Sequence, residues 1–215
     1  YGRILGPSIF SPLPGTISVE HDNGTENTML IPKNVIIATG AKPVTLKSVA
    51  NDGEYIYNSD QLLKMKELPK TMTIVGAGII GIEWASMLQD LGVEVRIIEQ
   101  AGQILHEQDK DIRKAVEKAL RKRGVEFLLN SSLLGYEKDE NGQLHIELEV
   151  NGVRERRTTE KILVAVGRQA NISDLGLENT AIEIEDGKIV TNEFFQTKES
   201  HIYAIGDCRT GMELA

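Results

Sequence analysis

"TIVGAGIIGIEWASMLQDLGVEVRIIE", Thr73 to Glu99, decides how this chain of 215 residues folds. An apolar run, Met72 to Val75, meets three glycines in the spacing GxGxxG: Gly76, Ala77, Gly78, Ile79, Ile80 and Gly81. From Ile79 to Asp90 the apolar residues recur at helical spacing, with Ile82, Ala85 and Leu88 on one stripe. Gly92 supplies a left-handed stop, and a second apolar run, Val93 to Glu99, follows. The pattern predicts a strand, a glycine turn, a helix and a second strand parallel to the first.

Such a turn suits a pyrophosphate, whose charge backbone amides at a helix N-terminus can neutralise if no side chain blocks its approach. On that logic Gly76 permits the turn, Gly78 removes a Cβ where phosphate comes close, and Gly81 lets helix and strand pack. A bare GxGxxG is weak, because glycines also occur in ordinary turns. Here the preceding strand, the helix and an acid at the end of the next strand supply the context the fingerprint requires. That acid is Glu99, which can accept hydrogen bonds from both ribose hydroxyls of adenosine and would repel a 2′-phosphate. Gln100 to Leu105 hold no arginine, so NAD is preferred over NADP; the plain alternative is a solvated strand-end charge. Glu83 follows Gly81 by two residues and is expected in the first helical turn, where the dipole alone would account for an acid.

Outward from this unit the periodicity changes. Residues 1–41 read as short antiparallel strands punctuated by Gly6-Pro7, Pro14-Gly15 and Asn23-Gly24, and 42–70 as a polar connector with a short helix from Ser59 to Met65. A second amphipathic helix is expected from Lys110 to Arg123, ended by Gly124, and a third strand from Glu126 to Leu129. Asn141-Gly142 and Asn151-Gly152 then separate three alternating strands as hairpin turns, followed by a buried strand from Lys161 to Val166 and a loop-rich tail.

Composition narrows the function. A net charge of -8, from 32 acidic against 24 basic residues, argues against nucleic acid or an anionic membrane as partner. The apolar runs are strand-sized, far short of the roughly 20 residues a membrane span needs. One cysteine, Cys208, excludes an internal disulfide or a thiolate metal cluster and fits a reducing compartment, the cytoplasm. His21, His106, His145 and His201 show no metal-ligand spacing, and no serine nucleophile elbow is present. The chain opens on "YGRILG" and closes on "GMELA", which reads as a piece of a longer protein.

Three further runs, "VIIATGAKP" (Val35 to Pro43), "ILVAVGRQAN" (Ile162 to Asn171) and "IYAIGDC" (Ile202 to Cys208), bracket the glycine fingerprint. In this order the motifs resemble the flavin-dependent pyridine nucleotide-disulfide oxidoreductases, and among them the dihydrolipoamide dehydrogenases, across essentially the whole chain. The resemblance implies an α/β fold: a Rossmann-like NAD-binding domain, with a parallel sheet and a β-meander, inserted between two portions of an incomplete FAD-binding domain. Residues 1–47 and 168–215 would be the FAD portions, 48–67 a connector and 68–167 the NAD domain. It also implies that Thr39, Gly40 and Ala41 border FAD, that Gly2 touches its adenosine end, that Asp207 binds its ribityl chain, and that Glu213, Leu214 and Ala215 approach the flavin. Glu83 would face the nicotinamide, Leu133 would line the adenine site and Gly167 would contact the cofactor through its backbone. Ala170 stands where family members usually have proline, which implies a less rigid loop after Arg168.

The implied reaction is reoxidation of protein-bound dihydrolipoamide with reduction of NAD, through FAD, by a homodimer acting on the lipoyl domain of a 2-oxo acid dehydrogenase complex. The paired redox cysteines, the catalytic His-Glu pair and the dimerisation domain of such enzymes have no counterpart in these 215 residues, so no catalytic residue is assigned and the piece alone is expected to be inactive. Another disulfide reductase or an NADH oxidase of the same family, or a nucleotide-binding module without chemistry, are the alternatives.

Overall fold

The computed structural model describes residues 1–9 and 13–211, in two compact units: Tyr1–Lys42 together with the segment from Arg168 onward, and Pro43–Gly167. In the first unit β1 (Gly2–Leu5), β2 (Thr16–Val19) and β3 (Thr28–Leu30) form an antiparallel meander, as their alternation and turn residues predict. β4 (Val35–Ile37) leaves that meander and pairs in parallel with a strand from the tail. Its sequence, Val-Ile-Ile, is an unbroken apolar run, which suits a parallel strand better than the alternating, half-solvated strand expected there. β5 is Ala41–Pro43.

The second unit is a three-layer α/β body. β6 (Ile56–Asn58) leads into α1 (Ser59–Leu62), whose capping box joins the Asn58 side chain to the Gln61 amide. β7 (Thr71–Val75), α2 (Ile79–Asp90), β8 (Glu94–Ile98), α3 (Lys110–Lys122) and β9 (Glu126–Leu128) follow. β10 (Ser131–Lys138), β11 (Leu144–Val150) and β12 (Val153–Thr159) make a three-stranded antiparallel meander, and β13 (Lys161–Val164) returns to the parallel sheet, whose order is β6-β13-β7-β8-β9. The segment read as a connector therefore supplies an edge strand. Three residues in a polar stretch carry no visible period, and only pairing with β13 makes Ile56–Asn58 a strand.

The central strands are covered on both faces, which is why they read as continuous apolar runs. Met72, Ile74, Val95 and Ile97 pack with Ile82, Ala85 and Leu88 of α2 and Leu120 of α3. Val75, Ile98, Ile162 and Val164 pack on the other side with Leu133, Leu144, Ile146 and Leu148 of the meander. Each fully buried aliphatic side chain contributes about 1.5–3 kcal/mol of transfer free energy. The β11–β12 turn has Asn151 and Gly152 at φ 49° and 80°, the left-handed pair a two-residue hairpin requires.

The first unit resumes with β14 (Arg168–Ala170), which pairs with β5. β15 (Ile184–Glu185) and β16 (Lys188–Ile189) form a hairpin, and β17 (Ile202–Ala204) pairs with β4. Ala170 thus ends a strand, where a less rigid loop was expected. The core of this unit is Ile4, Val35, Ile37, Leu177, Ile189, Ile202, Ala204 and Cys208, while Met29, Ile31, Ile36, Phe194 and Ile205 remain exposed.

Candidate functional site

The glycine turn lies at the carboxyl-terminal edge of the parallel sheet, between β7 and α2. Gly76 has φ +106°, and a Cβ there would come within 2.4 Å of the Ala165 carbonyl oxygen, so conformation and space both demand glycine. At Gly81 a Cβ would sit 2.1 Å from the Gly76 carbonyl oxygen and 3.4 Å from Ile74 Cγ2. The turn's own carbonyl, more than the strand, excludes a side chain there. Gly78 differs: its backbone is extended (φ -73°, ψ -175°) and a Cβ would meet nothing within 4 Å. Nothing in the protein itself fills that space.

Gly78 is also the N-cap of α2 and provides no side-chain cap. The helical ladder begins with the Ile82 amide donating to Gly78 O at 3.0 Å. The amides of Ile79, Ile80 and Gly81 precede it and form the positive end of a helix of 12 residues. Open space beside uncapped amides is the chemistry of an anion cradle, and it fits the pyrophosphate of a dinucleotide.

β8 brings Glu99 to the same edge. Its Oε2 accepts from the Ala77 amide at 2.7 Å and its Oε1 from the Ala101 amide at 2.8 Å. The Glu99 carbonyl accepts from the Ser131 amide at 2.8 Å, which ties the start of β10 to the site. The carboxylate therefore already has backbone partners, a feature with no side-chain signature in the sequence. Its reading as a freely solvated strand-end charge does not hold.

Glu83 is exposed and is the fifth residue of α2; the first turn contains no acid. The expectation that it lies in the first turn is corrected: the helix starts at Ile79, and the dipole's effect fades within one turn. Leu133 is buried in the core beneath the meander, and Gly167, at φ +118°, is exposed with open space where a Cβ would be.

In the first unit the TGA run and the GRQAN run come together. Arg168 Nη2 donates to the Ala41 carbonyl at 2.7 Å and the Asn171 amide to that of Gly40 at 2.8 Å; Asn171 Nδ2 reaches Thr39 O at 3.4 Å. Arg168 and Asn171 were quoted in the sequence only as motif letters, and their work is to hold that segment. Gly2 is exposed on β1, and Asp207 is half-buried in the short helix Gly206–Cys208. Glu213, Leu214 and Ala215 lie outside the described residues.

A small cavity of about 40 Å³, walled by Thr71, Thr73, Arg96, Glu126 and Thr158, opens at the opposite, amino-terminal edge of the parallel sheet. It has no glycine turn and no uncapped helix start. Among the described residues no helix is long and apolar enough to cross a membrane.

The profile of the family described as "Pyridine nucleotide-disulphide oxidoreductase" matches residues 8–215. Dihydrolipoyl dehydrogenase of Bacillus subtilis is 54% identical over 216 aligned residues, which cover 100% of this chain and 46% of that protein. The human mitochondrial dihydrolipoyl dehydrogenase is 34% identical, covering 100% of the chain and 42% of that protein. Among solved structures, LpdA from Mycobacterium tuberculosis superposes with a TM-score of 0.85 at 26% identity, over 99% of this chain and 45% of its own. A Cu(II) complex of the HOCl-induced flavoprotein disulfide reductase RclA from Escherichia coli gives 0.84 at 28%, over 99% and 46%. The chain spans under half the length of each of these relatives.

Proposed function

This chain belongs to the pyridine nucleotide-disulphide oxidoreductase family, and we propose that it is the central portion of a flavin-dependent dihydrolipoamide dehydrogenase, with residues 68–167 as its NAD-docking domain. The full protein oxidises protein-bound dihydrolipoamide and reduces NAD, as a cytoplasmic homodimer serving the lipoyl domain of a 2-oxo acid dehydrogenase complex. The observation that carries this reading is the uncapped start of α2 behind Gly78, with its open Cβ position, set beside the Glu99 carboxylate at the end of the next strand. Identity of 54% to the Bacillus subtilis enzyme over the whole chain supports the reaction assigned.

FAD, when bound, supplies the two-electron relay between a disulfide and NAD. The chain's own residues bind and orient. The Ile79 and Ile80 amides receive the pyrophosphate, and Gly76, Ala77, Gly78 and Gly81 shape the turn that presents them. Glu99 accepts the adenosine ribose hydroxyls and repels a 2′-phosphate. Glu83, free of a first-turn dipole role, faces the nicotinamide; Leu133 borders the adenine, and Gly167 offers its exposed backbone. In the first unit, residues 1–47 and 168–215, Gly2, Thr39, Gly40, Ala41 and Asp207 serve FAD, with Glu213, Leu214 and Ala215 assigned to the flavin as well. The single cysteine, Cys208, is buried and donates to backbone carbonyls, so exchange with a dithiol is not assigned to it.

The test is cofactor discrimination. Titration with NADH and with NADPH, followed by quenching of the single tryptophan, Trp84 on α2, should give NADH the tighter binding by about tenfold or more. Equal affinity, or tighter NADPH, overturns the reading.

A further inference from the structure

The acid that reads the ribose is also wired into the turn that reads the phosphate. Ala77 sits at the centre of the glycine turn, and its peptide groups are held on both sides. Its amide donates to Glu99 Oε2 at 2.7 Å, and its carbonyl accepts from the Leu105 amide at 2.9 Å. The loop between these two anchors is itself fixed. Ala101 donates to Glu99 Oε1 at 2.8 Å and accepts from the Asn130 amide at 3.1 Å. Ile104 and Leu105 are buried in the core, and Leu105 holds φ +47°, a strained value for a branched side chain that persists only where surroundings impose it.

We infer that Glu99 is a positioning residue for the phosphate-binding turn as well as a ribose ligand, and that it sets the turn before any nucleotide arrives. The inference rests on the nucleotide-binding reading above. An ionised carboxylate offers about four acceptor sites. Two are taken by the Ala77 and Ala101 amides, one on each oxygen, which leaves one on each oxygen for the two ribose hydroxyls. Glu99 therefore meets the sugar without releasing the turn. Because Ala77 immediately precedes Gly78, fixing its peptide fixes the direction in which the Ile79 and Ile80 amides present themselves, and a site built before binding loses less free energy on ordering.

The consequence is that Glu99 acts on ligands that lack the hydroxyls it reads. ADP and 2′,3′-dideoxy-ADP carry the same two phosphates and differ at the sugar. Their affinities for the 215-residue chain are measured by calorimetry, for wild type and Glu99→Gln. Gln keeps the shape but has one oxygen, so only one of the two amides retains an acceptor. A residue that reads only the ribose leaves dideoxy-ADP affinity unchanged by the substitution. The positioning role weakens dideoxy-ADP about tenfold, the effect of one hydrogen bond to a charged acceptor. In the same samples without nucleotide, the Ala77 or Ala101 amide exchanges faster with solvent in Glu99→Gln, and Glu99→Ala exposes both. Unchanged dideoxy-ADP affinity, or unchanged amide exchange in both variants, overturns the inference. If wild-type protein binds neither ADP nor dideoxy-ADP, the nucleotide reading has failed, and with it the role in phosphate affinity; amide exchange then shows whether the clamp exists in the free protein.

Discussion

Two glycines of one turn should fail in opposite ways when each is replaced by alanine. At position 81 a new Cβ meets the Gly76 carbonyl oxygen at 2.1 Å, a backbone atom that cannot step aside without moving the turn. Overpacking of this kind costs about 1–3 kcal/mol, and the better helix propensity of alanine returns about 1 kcal/mol. The clash lies at the severe end, so Gly81→Ala should lose about 2 kcal/mol net. At position 78 the Cβ enters open space from an extended backbone that alanine adopts readily, and only the poorer N-cap is felt, about 0.5 kcal/mol. Urea unfolding followed by Trp84 fluorescence reads the difference. With a slope of about 2 kcal/mol/M the Gly81→Ala midpoint falls by about 1 M, and that of Gly78→Ala by about 0.25 M. NADH affinity should show the reverse order. A methyl group at Gly78 stands where the phosphate approaches and removes one or more charge-assisted bonds, about tenfold to a hundredfold in Kd. If Gly78→Ala unfolds as easily as Gly81→Ala and binds NADH like wild type, the open space beside Gly78 is not a phosphate site.

Other consequences lie away from the turn. Asp52 is opposed by burial, yet the amides of Ile56, Glu54 and Tyr55, at 2.7–2.8 Å, hold its carboxyl below the usual carboxylate range. A lowered folded pKa means that its stabilisation is present above the ordinary carboxylate pKa and is lost as pH falls through the folded value. Asp52→Asn should therefore melt below wild type at pH 7, by about 1 kcal/mol, and the gap should close in acid; a gap independent of pH refutes this. Arg113 Nε and Nη1, on α3, are buried without a hydrogen-bond partner among the described residues. Replacing an unsatisfied buried cation with a flexible apolar chain, Arg113→Met, should raise stability by about 1 kcal/mol in thermal unfolding, and a drop would show that the guanidinium is satisfied.

How much of this was legible in the sequence follows from what carried each feature. α2 could be placed from Ile79 to Asp90 because its ends are marked by glycines and its stripe by Ile82, Ala85 and Leu88. β11 was equally plain, since seven alternating residues lie between two Asn-Gly turns. β6 was not, because a three-residue strand has no period to detect. β4 was seen as a strand but not as a parallel one, since its partner Ile202–Ala204 lies far along the chain. In the site, Glu99 was visible by its place after β8, whereas its partners Ala77 and Ala101 bond through backbone amides that leave no trace in residue type. Glu83 was misplaced by a turn, an error of helix start rather than of residue choice. The roles of Arg168 and Asn171 needed the fold, because their acceptors, Ala41, Thr39 and Gly40, are far away in sequence.

The central claim is that the dinucleotide docks at the carboxyl-terminal edge of the parallel sheet, and amide chemical-shift mapping tests it most directly. With NAD titrated into isotopically labelled protein, the largest shifts should fall on Gly78 to Gly81 and on Glu99 to Gly102. Shifts gathered instead around Thr71, Arg96 and Glu126, which wall the cavity at the opposite edge, would contradict it.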